Sequence, residues 1–544
     1  MSYLRKGLTA TLGMLALLLA GCGGSSSSIE VSSSLVASPG GPNCLFNASS
    51  ADCAQVVGDV PYVLYSSRSD GAVDAAVNTD IVAVLSEPLD PASVTTSSIT
   101  VTANDGTSVA GSTEYDATRN ALVFRQSQDL GAKRYTATVA SSIRDASGNP
   151  MGRAYSWSFT VKAARRDTDA QRAVQQILDK AAYTYRIPGS IIAIRDDQGN
   201  TWATTNGYAD LTTRAPITTD MLFRIGSNTK TFVGTLILQL ADAGKLNLDA
   251  PVNTYLGAEM SAYMSAYDGS IITVRHLLNH TSGIFNFTAD PAWGNAFISE
   301  PYKQYFPQEL LILANNRASA PNAPVFGSFS YSNTNYILLG LIIKKVSGMA
   351  YEEAVANGIT IPYGLSGTVV PRIGDTTIPA PYSRGYWEDG ETGTLHDVTV
   401  RDSSTVWASG NMISTIGDLA KWGELLGKGT LLTSGMQAQR LQLVPMNDHL
   451  SYGLGVVKDV PANLVGHQGG MVGYTSQTYY VPDKGYTLAF FYNRTLALHD
   501  YSDVMTYQAI SALWPTRTAT AAAQRFAPQR IADPTWKPGF LMEY

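Results

Sequence analysis

The chain has 544 residues, of which 44% are hydrophobic and only 15% charged. That is material for roughly two to four domains with sizeable apolar cores, and it excludes disorder through charge for most of the length. With 38 basic against 44 acidic residues the net charge is −6, so the sequence offers no basic face for a phosphate backbone and no nucleic-acid partner is expected.

Arg5 and Lys6 open the chain on a basic note, and residues 8–20 form an apolar run of 13 residues. Such a run is too short to span a bilayer and suits the hydrophobic region of an export signal. It ends in Leu19-Ala20-Gly21-Cys22, which resembles the lipobox of bacterial lipoproteins. The resemblance implies a signal peptide over residues 1–21, acylation of Cys22, and membrane attachment through the N-terminal lipid. Gly23 in the next position implies, in a Gram-negative cell, the periplasmic face of the outer membrane or the cell surface. Cys44 and Cys53 are the remaining cysteines, and an exported chain permits a disulfide between them. No Cys/His spacing suited to zinc occurs, so neither a metal nor a cofactor is expected.

Residues 22–58 are Ser-rich and read as a flexible tether. From 59 to 162 the texture changes to short alternating segments. Residues 81–85, 98–103, 121–124, 134–139 and 156–161 read as strands separated by Gly, Asp, Asn and Pro turns. That spacing predicts an all-β sandwich. Ser86-Glu87-Pro88-Leu89-Asp90 and the closing Tyr155-Ser156-Trp157-Ser158-Phe159 resemble bacterial Ig-like domains. The segment holds no cluster of catalytic groups, which suits a spacer or adhesion role.

Residues 168–515 read as one α+β domain with an antiparallel sheet and a helical subdomain. A helix is predicted over 167–186, with apolar positions at Val174, Ile177, Leu178 and Ala181. Strands follow at 190–195 and 201–206, and helical patterns fill the middle. Residues 475–481 and 486–492 flank Pro482-Asp483-Lys484-Gly485, a hairpin signal. A closing helix is predicted over 501–513, and residues 516–544 form a C-terminal tail of unassigned role.

Ser227-Asn228-Thr229-Lys230 is the only Ser-x-x-Lys in the sequence. Phe223-Arg224-Ile225-Gly226 reads as an approach strand or turn, and 231–243 as an apolar helix stopped by Gly244. Ser227 then sits at a helix N-terminus with Lys230 one turn on, on the same face. A serine hydroxyl needs a neighbouring base, and a buried lysine serves as one because desolvation disfavours its ammonium form. The bland alternative is a Ser N-cap beside an exposed Lys.

Tyr331-Ser332-Asn333 is the chain's only Tyr-x-Asn and precedes a helix predicted over 335–346. A phenol there can relay a proton to a leaving group, and the Asn amide can hold a substrate carbonyl and orient Lys230. His467-Gln468-Gly469-Gly470 precedes the terminal hairpin, and its glycines let a backbone edge approach a substrate closely.

Together and in this order, these elements resemble the Ser-x-x-Lys, Tyr-x-Asn and His/Lys-x-Gly elements of penicillin-recognising serine hydrolases. The branch is that of class C β-lactamases, R61-type D-Ala-D-Ala carboxypeptidases and related esterases. The resemblance covers about residues 168–515. It implies that Ser227 forms an acyl-enzyme, Lys230 deprotonates it, Tyr331 relays the proton and Asn333 binds substrate. His467 stands where Lys is commoner, Gln468, Gly469 and Gly470 border the substrate, and the N–H groups of Ser227 and Gly470 form the oxyanion hole. The expected partner is a small-molecule or peptide substrate, peptidoglycan-derived peptides included.

One departure bears on the substrate. R61-type carboxypeptidases carry an Arg on the strand before the third motif that grips a terminal carboxylate. Val457 stands at that place here, with Lys458 facing the opposite side of the strand. This argues for a general ester or amide substrate over D-Ala-D-Ala carboxypeptidase action. A catalytically silent cell-envelope binding protein is the reading from another class, and intact Ser227, Lys230 and Tyr331 argue against it. His276 and His280 are four apart but lack the Glu of a His-Glu-x-x-His motif, so packing and capping are expected of them.

Overall fold

The computed structural model describes residues 60–162, 165–321, 323–389, 393–495 and 503–515. Cys22, the Ser-rich tether, Cys44, Cys53 and residues 516–544 lie outside them. The first strands are β1 (Val63–Ser66), β2 (Ala72–Ala75), β3 (Ile81–Leu85), β4 (Ile99–Ala103), β5 (Gly111–Asp116), β6 (Ala121–Gln126), β7 (Arg134–Val139) and β8 (Tyr155–Val161). They form two four-stranded sheets in the orders β1-β3-β6-β5 and β2-β8-β7-β4. Alternation sets the inner faces: Tyr135, Ala137 and Val139 of β7 and Tyr155, Trp157, Phe159 and Val161 of β8 are buried, with exposed or half-buried residues between them. Their Cβ atoms point to one side because the side-chain period of a strand is two. β1, β2 and β5 had no sequence forecast. β5 is polar and largely exposed, so it carries no alternation to read.

The second part begins with α1 (Asp169–Thr184), whose first turn is closed by a Thr168–Gln171 capping box. Strands β9 (Gly189–Arg195), β10 (Thr201–Asp210), β11 (Ala215–Pro216) and β12 (Phe223–Arg224) follow, then α2 (Thr229–Asp242). The helical region comprises α3 (Asn253–Tyr263), α4 (Val274–Leu278), α5 (Pro291–Ser299), α6 (Pro307–Asn315), α7 (Asn333–Ser347) and α8 (Tyr351–Val355). After β13 (Tyr386–Glu388), β14 (Leu395–Asp397) and β15 (Ile413–Ser414) come α9 (Ile416–Lys428) and α10 (Ser434–Arg440). The chain closes through β16 (Val444–Pro445), β17 (Leu450–Tyr452), β18 (Val457–Asp459), β19 (Leu464–Met471), β20 (Tyr474–Val481), β21 (Tyr486–Tyr492) and α11 (Asp503–Leu513).

These strands build a nine-stranded sheet ordered β11-β10-β9-β21-β20-β19-β18-β17-β16. The N-terminal strands therefore dock beside the C-terminal hairpin, with Ile192 opposite Phe490. Both faces are covered, which is why the central strands read as continuous apolar runs rather than alternating ones. Ile192, Ile194, Leu488 and Phe490 pack with Val174 and Leu178 of α1 and with Met505 and Ala509 of α11. Ile191, Ala193, Ala489 and Phe491 face the other way, toward α2, α7 and α9. Among the described residues no helix is long and apolar enough to cross a membrane.

The sandwich meets this part through a buried polar cluster. Arg68 donates to Thr79 (2.7 Å), Gln175 (3.1 Å) and Thr204 (3.2 Å) and lies 3.9 Å from the Asp167 carboxylate. Tyr65 donates to Asp179, which also accepts from Gln175 and Asn206. Burial pushes the Asp179 carboxyl above the ordinary carboxylate range.

Candidate active site

Strand β12 delivers the chain into a 3-10 turn, Gly226–Asn228, that leads directly into α2. Ser227 sits in that turn, and Lys230 projects from the first turn of the helix. The turn lies hard against β19. Gly226 has φ +52°, and a Cβ there would stand 2.6 Å from the carbonyl oxygen of Gly470. A Cβ on Gly469 would stand 1.9 Å from the carbonyl oxygen of Ile225. Only glycines permit this approach. Asn228 fastens the arrangement by donating to Ser476 Oγ (2.9 Å), which itself donates to the Ile225 carbonyl (2.8 Å).

The Lys230 side chain has no exposure. Its Nζ lies 3.1 Å from Ser227 Oγ, 2.6 Å from Asn333 Oδ1 and 2.6 Å from the Ser409 carbonyl oxygen. The ring of Tyr331 is 4.9 Å away and that of Tyr336 5.3 Å. No carboxylate reaches Nζ among the described residues. Burial therefore holds its pKa well below the ordinary ammonium range. In the neutral amine the two short contacts take both N–H donors, which leaves the lone pair for the Ser227 hydroxyl.

Tyr331 is buried with Leu450, Tyr452 and Val457, and Asn333 opens α7. The Asn333 side chain is held from both ends: Oδ1 meets Lys230, and Nδ2 donates to Thr288 Oγ1 at 3.1 Å. Its backbone N–H donates to Asn286 Oδ1 at 3.0 Å. His467 lies on β19, a full strand rather than a loop, opposite Thr478 of β20. Its Nε2 pairs with the Tyr452 hydroxyl at 2.9 Å and its Nδ1 with the Gln468 carbonyl. Burial, with Lys230 nearby, pushes His467 down to about 3, so it stands as a neutral hydrogen-bonding group at physiological pH.

Ser227, Lys230, Asn333 and Tyr331 thus converge, and His467 enters through the aromatic layer of Tyr452 and Tyr331, whose ring is 6.4 Å from its own. Gln468, Gly469 and Gly470 continue the β19 edge past the turn. Val457 is buried against Tyr331 and Tyr452, whereas Lys458 turns away and donates to Asn463.

Sequence reasoning missed the supports. Asn286 and Thr288 belong to one short 3-10 turn and Ser409 to another, and their partners at the site come from distant segments. His276 does cap α4, its Nδ1 accepting the Thr273 N–H at 3.2 Å. His280 does more than pack. Fully buried at φ +59°, it accepts the Ser332 N–H on Nδ1 at 3.1 Å. Its ring lies 4.3 Å from that of Tyr331 and 4.7 Å from that of Tyr452. It therefore holds the Tyr331-Ser332-Asn333 segment from beneath. Burial, with Lys230 and His467 nearby, keeps it well below the ordinary histidine value.

A family model described as beta-lactamase matches residues 170–510, and one described as a bacterial Ig-like domain matches residues 59–161. Penicillin-binding protein 4* of Bacillus subtilis (strain 168) is 30% identical over 305 residues, 53% of this chain and 64% of that protein. The match thus spans less than two thirds of that relative. Among solved structures, a D-stereospecific amidohydrolase from Streptomyces sp. is 33% identical with a TM-score of 0.56, covering 64% of this chain and 99% of that one. D-amino acid amidase from Ochrobactrum anthropi SV3, solved with D-phenylalanine, is 25% identical with a TM-score of 0.56, covering 64% and 100%.

Proposed function

The chain belongs to the beta-lactamase family, and from that premise we propose that it is an exported, lipid-anchored hydrolase that forms an acyl-enzyme on Ser227. The observation that carries this reading is the burial of Lys230 beside Ser227 with neutral oxygens as its only hydrogen-bonding partners among the described residues. In the proposed cycle Ser227 Oγ attacks a carbonyl carbon while its proton passes to Lys230 Nζ. The N–H groups of Ser227 and Gly470 receive the developing oxyanion. Tyr331 hands the proton to the leaving group, and Asn333 holds both Lys230 and the substrate carbonyl. Water then attacks the acyl-enzyme by the reverse route. Cys22 carries the lipid that keeps the enzyme at the cell envelope, and the Ig-like sandwich spaces it from the membrane.

The substrate class in this proposal is an amide or ester with an uncharged leaving group, with D-amino-acid amides foremost. A C-terminal carboxylate calls for a fixed cation. Val457 is aliphatic, Lys458 is engaged with Asn463, and His467 is neutral. The solved structures named above, an amidohydrolase and an amidase, support the same class. The test is a panel of a p-nitrophenyl ester, a D-phenylalanine amide, nitrocefin and a D-Ala-D-Ala peptide, assayed on protein lacking residues 1–22. The proposal expects ester and amide turnover that vanishes in Ser227→Ala. Efficient release of D-Ala would overturn the substrate class, and turnover that survives Ser227→Ala would overturn the nucleophile.

A further inference from the structure

Among the described residues Lys230 is not the only buried basic side chain that lacks an acid. Arg224 and Arg401 are each 2% exposed. Among the described residues the arginine ion pairs all fall elsewhere. Arg224 is three residues before the nucleophile. Its Nη2 donates to the carbonyl oxygens of Arg401 (2.8 Å), Thr376 (3.3 Å) and Thr399 (3.5 Å). Its Nε and Nη1 have no acceptor among the described residues. The Arg401 guanidinium lies 4.5 Å over the ring of Phe297, and its own Nε and Nη1 are also without acceptors. Two residues further on, the fully buried Ser403 hydroxyl has no partner among the described residues either.

The acid next to Arg401 in the chain does not resolve this. Asp402 spends its carboxylate on the N–H groups of Gly374 (3.1 Å) and Ser404 (2.9 Å). Its charge reaches Arg224 through space but makes no hydrogen bond to either guanidinium among the described residues. Burial and the charge of Arg224 push Arg401 down to about 10, and a guanidinium keeps its proton at neutral pH. An aromatic face offsets a buried cation only in part, and a buried charge without a partner is strongly destabilising. Unmade buried N–H bonds add to that cost. Two guanidiniums beside one carboxylate leave a single positive charge uncompensated.

We propose that Arg224, Arg401 and Ser403 form a buried site for a small monovalent inorganic anion of the halide class. The single surplus charge matches a monovalent ion. The near-complete burial of both arginines excludes a bulky organic carboxylate. The anion accepts from the guanidinium N–H groups and the Ser403 hydroxyl, as backbone and side-chain donors do for other buried anions. It lies where β12, which delivers Ser227, meets the segment that runs on to Ser409, whose carbonyl holds Lys230. Occupancy therefore fastens the two strands of chain that present the nucleophile and its base, without touching substrate.

Two measurements on the full chain test this. In crystals soaked in sodium bromide, an anomalous peak is expected within hydrogen-bonding distance of the Arg224 and Arg401 guanidiniums. Absence of that peak at high bromide overturns the site. In thermal unfolding, replacing gluconate by chloride at constant ionic strength is expected to raise Tm saturably, by about 2 °C or more. Arg401→Met keeps the aliphatic bulk over Phe297 and should abolish the chloride-specific rise; an undiminished rise overturns the proposal. Should Arg401→Met fail to fold, the bromide result on the unaltered protein decides, and Ser403→Ala should weaken the chloride effect.

Discussion

The junction between the sandwich and the hydrolase domain and the pocket around Ser227 both bury a cation, and they treat it in opposite ways. At the junction Arg68 is given Asp167 at 3.9 Å as well as three neutral oxygens. In the pocket Lys230 receives Ser227, Asn333 and the Ser409 carbonyl but, among the described residues, no acid. A guanidinium cannot give up its proton under these conditions, so its burial requires a counter-charge. An amine can, and burial without a counter-charge turns it into a free base. Residue type and partner type agree in each place. One site ties the sandwich to the domain that follows it; the other, in the proposed cycle, accepts a proton.

Exchanging the partner type is the most severe way to break this comparison. Asn333→Asp would set a carboxylate where Oδ1 now lies 2.6 Å from Lys230 Nζ. The amine should then stay protonated, and acylation at neutral pH should fall by roughly 10²–10³-fold. Folding stability should change little, because the Asp carboxylate and the protonated Lys230 compensate each other. Rates recovering at higher pH would show that protonation of Lys230, rather than lost substrate contact, is the cause. Steady-state kinetics and chemical denaturation together check it.

Removing the cation at the junction should do the reverse. Arg68→Met strips donors from Thr79, Gln175 and Thr204 and leaves Asp167 with one fewer positive neighbour. The expected loss is about 3 kcal/mol of stability, measured by denaturant unfolding, with kcat unchanged at temperatures where the variant is folded. An equal fall in kcat would erase the distinction between the two regions.

His467 sharpens the account by its sign. Its pKa is pushed down to about 3 in the folded chain, against about 6.5 when unfolded. The unfolded chain therefore binds the extra proton between those values, and stability is lost as pH falls from about 6.5 toward 3. His467→Asn removes that loss. At pH 5 the variant should lose about 2 kcal/mol less than the parent relative to pH 7.5, by parallel denaturation curves. Parallel losses in both proteins would mean that His467 is not buried as a neutral group.

Much of this was legible in the sequence where local spacing carries the information. Ser227 and Lys230 share a helix face because a turn of helix separates them, and the hairpin over β20 and β21 follows from its turn residues. The Ig-like strands with alternating burial were readable too, while β1, β2 and polar β5 were not. What sequence could not provide was the set of groups that position the reacting ones. Asn286, Thr288, His280 and the Ser409 carbonyl act across the tertiary structure, and a polar loop residue leaves no periodic trace. The same holds for Arg68, whose partners come from three separate segments.

The central claim is that neutral Lys230 takes the proton of Ser227. It is tested most directly by the pH dependence of the acylation rate, followed as the burst of p-nitrophenol or as fluorophosphonate labelling, in the parent and in Lys230→Met. The account predicts a rate that rises with pH along a one-proton limb whose midpoint lies below the ordinary lysine value of about 10.4. Lys230→Met should lose that limb together with about 10³-fold in rate. A Lys230→Met protein that labels at Ser227 with the parent's rate and pH profile would contradict it.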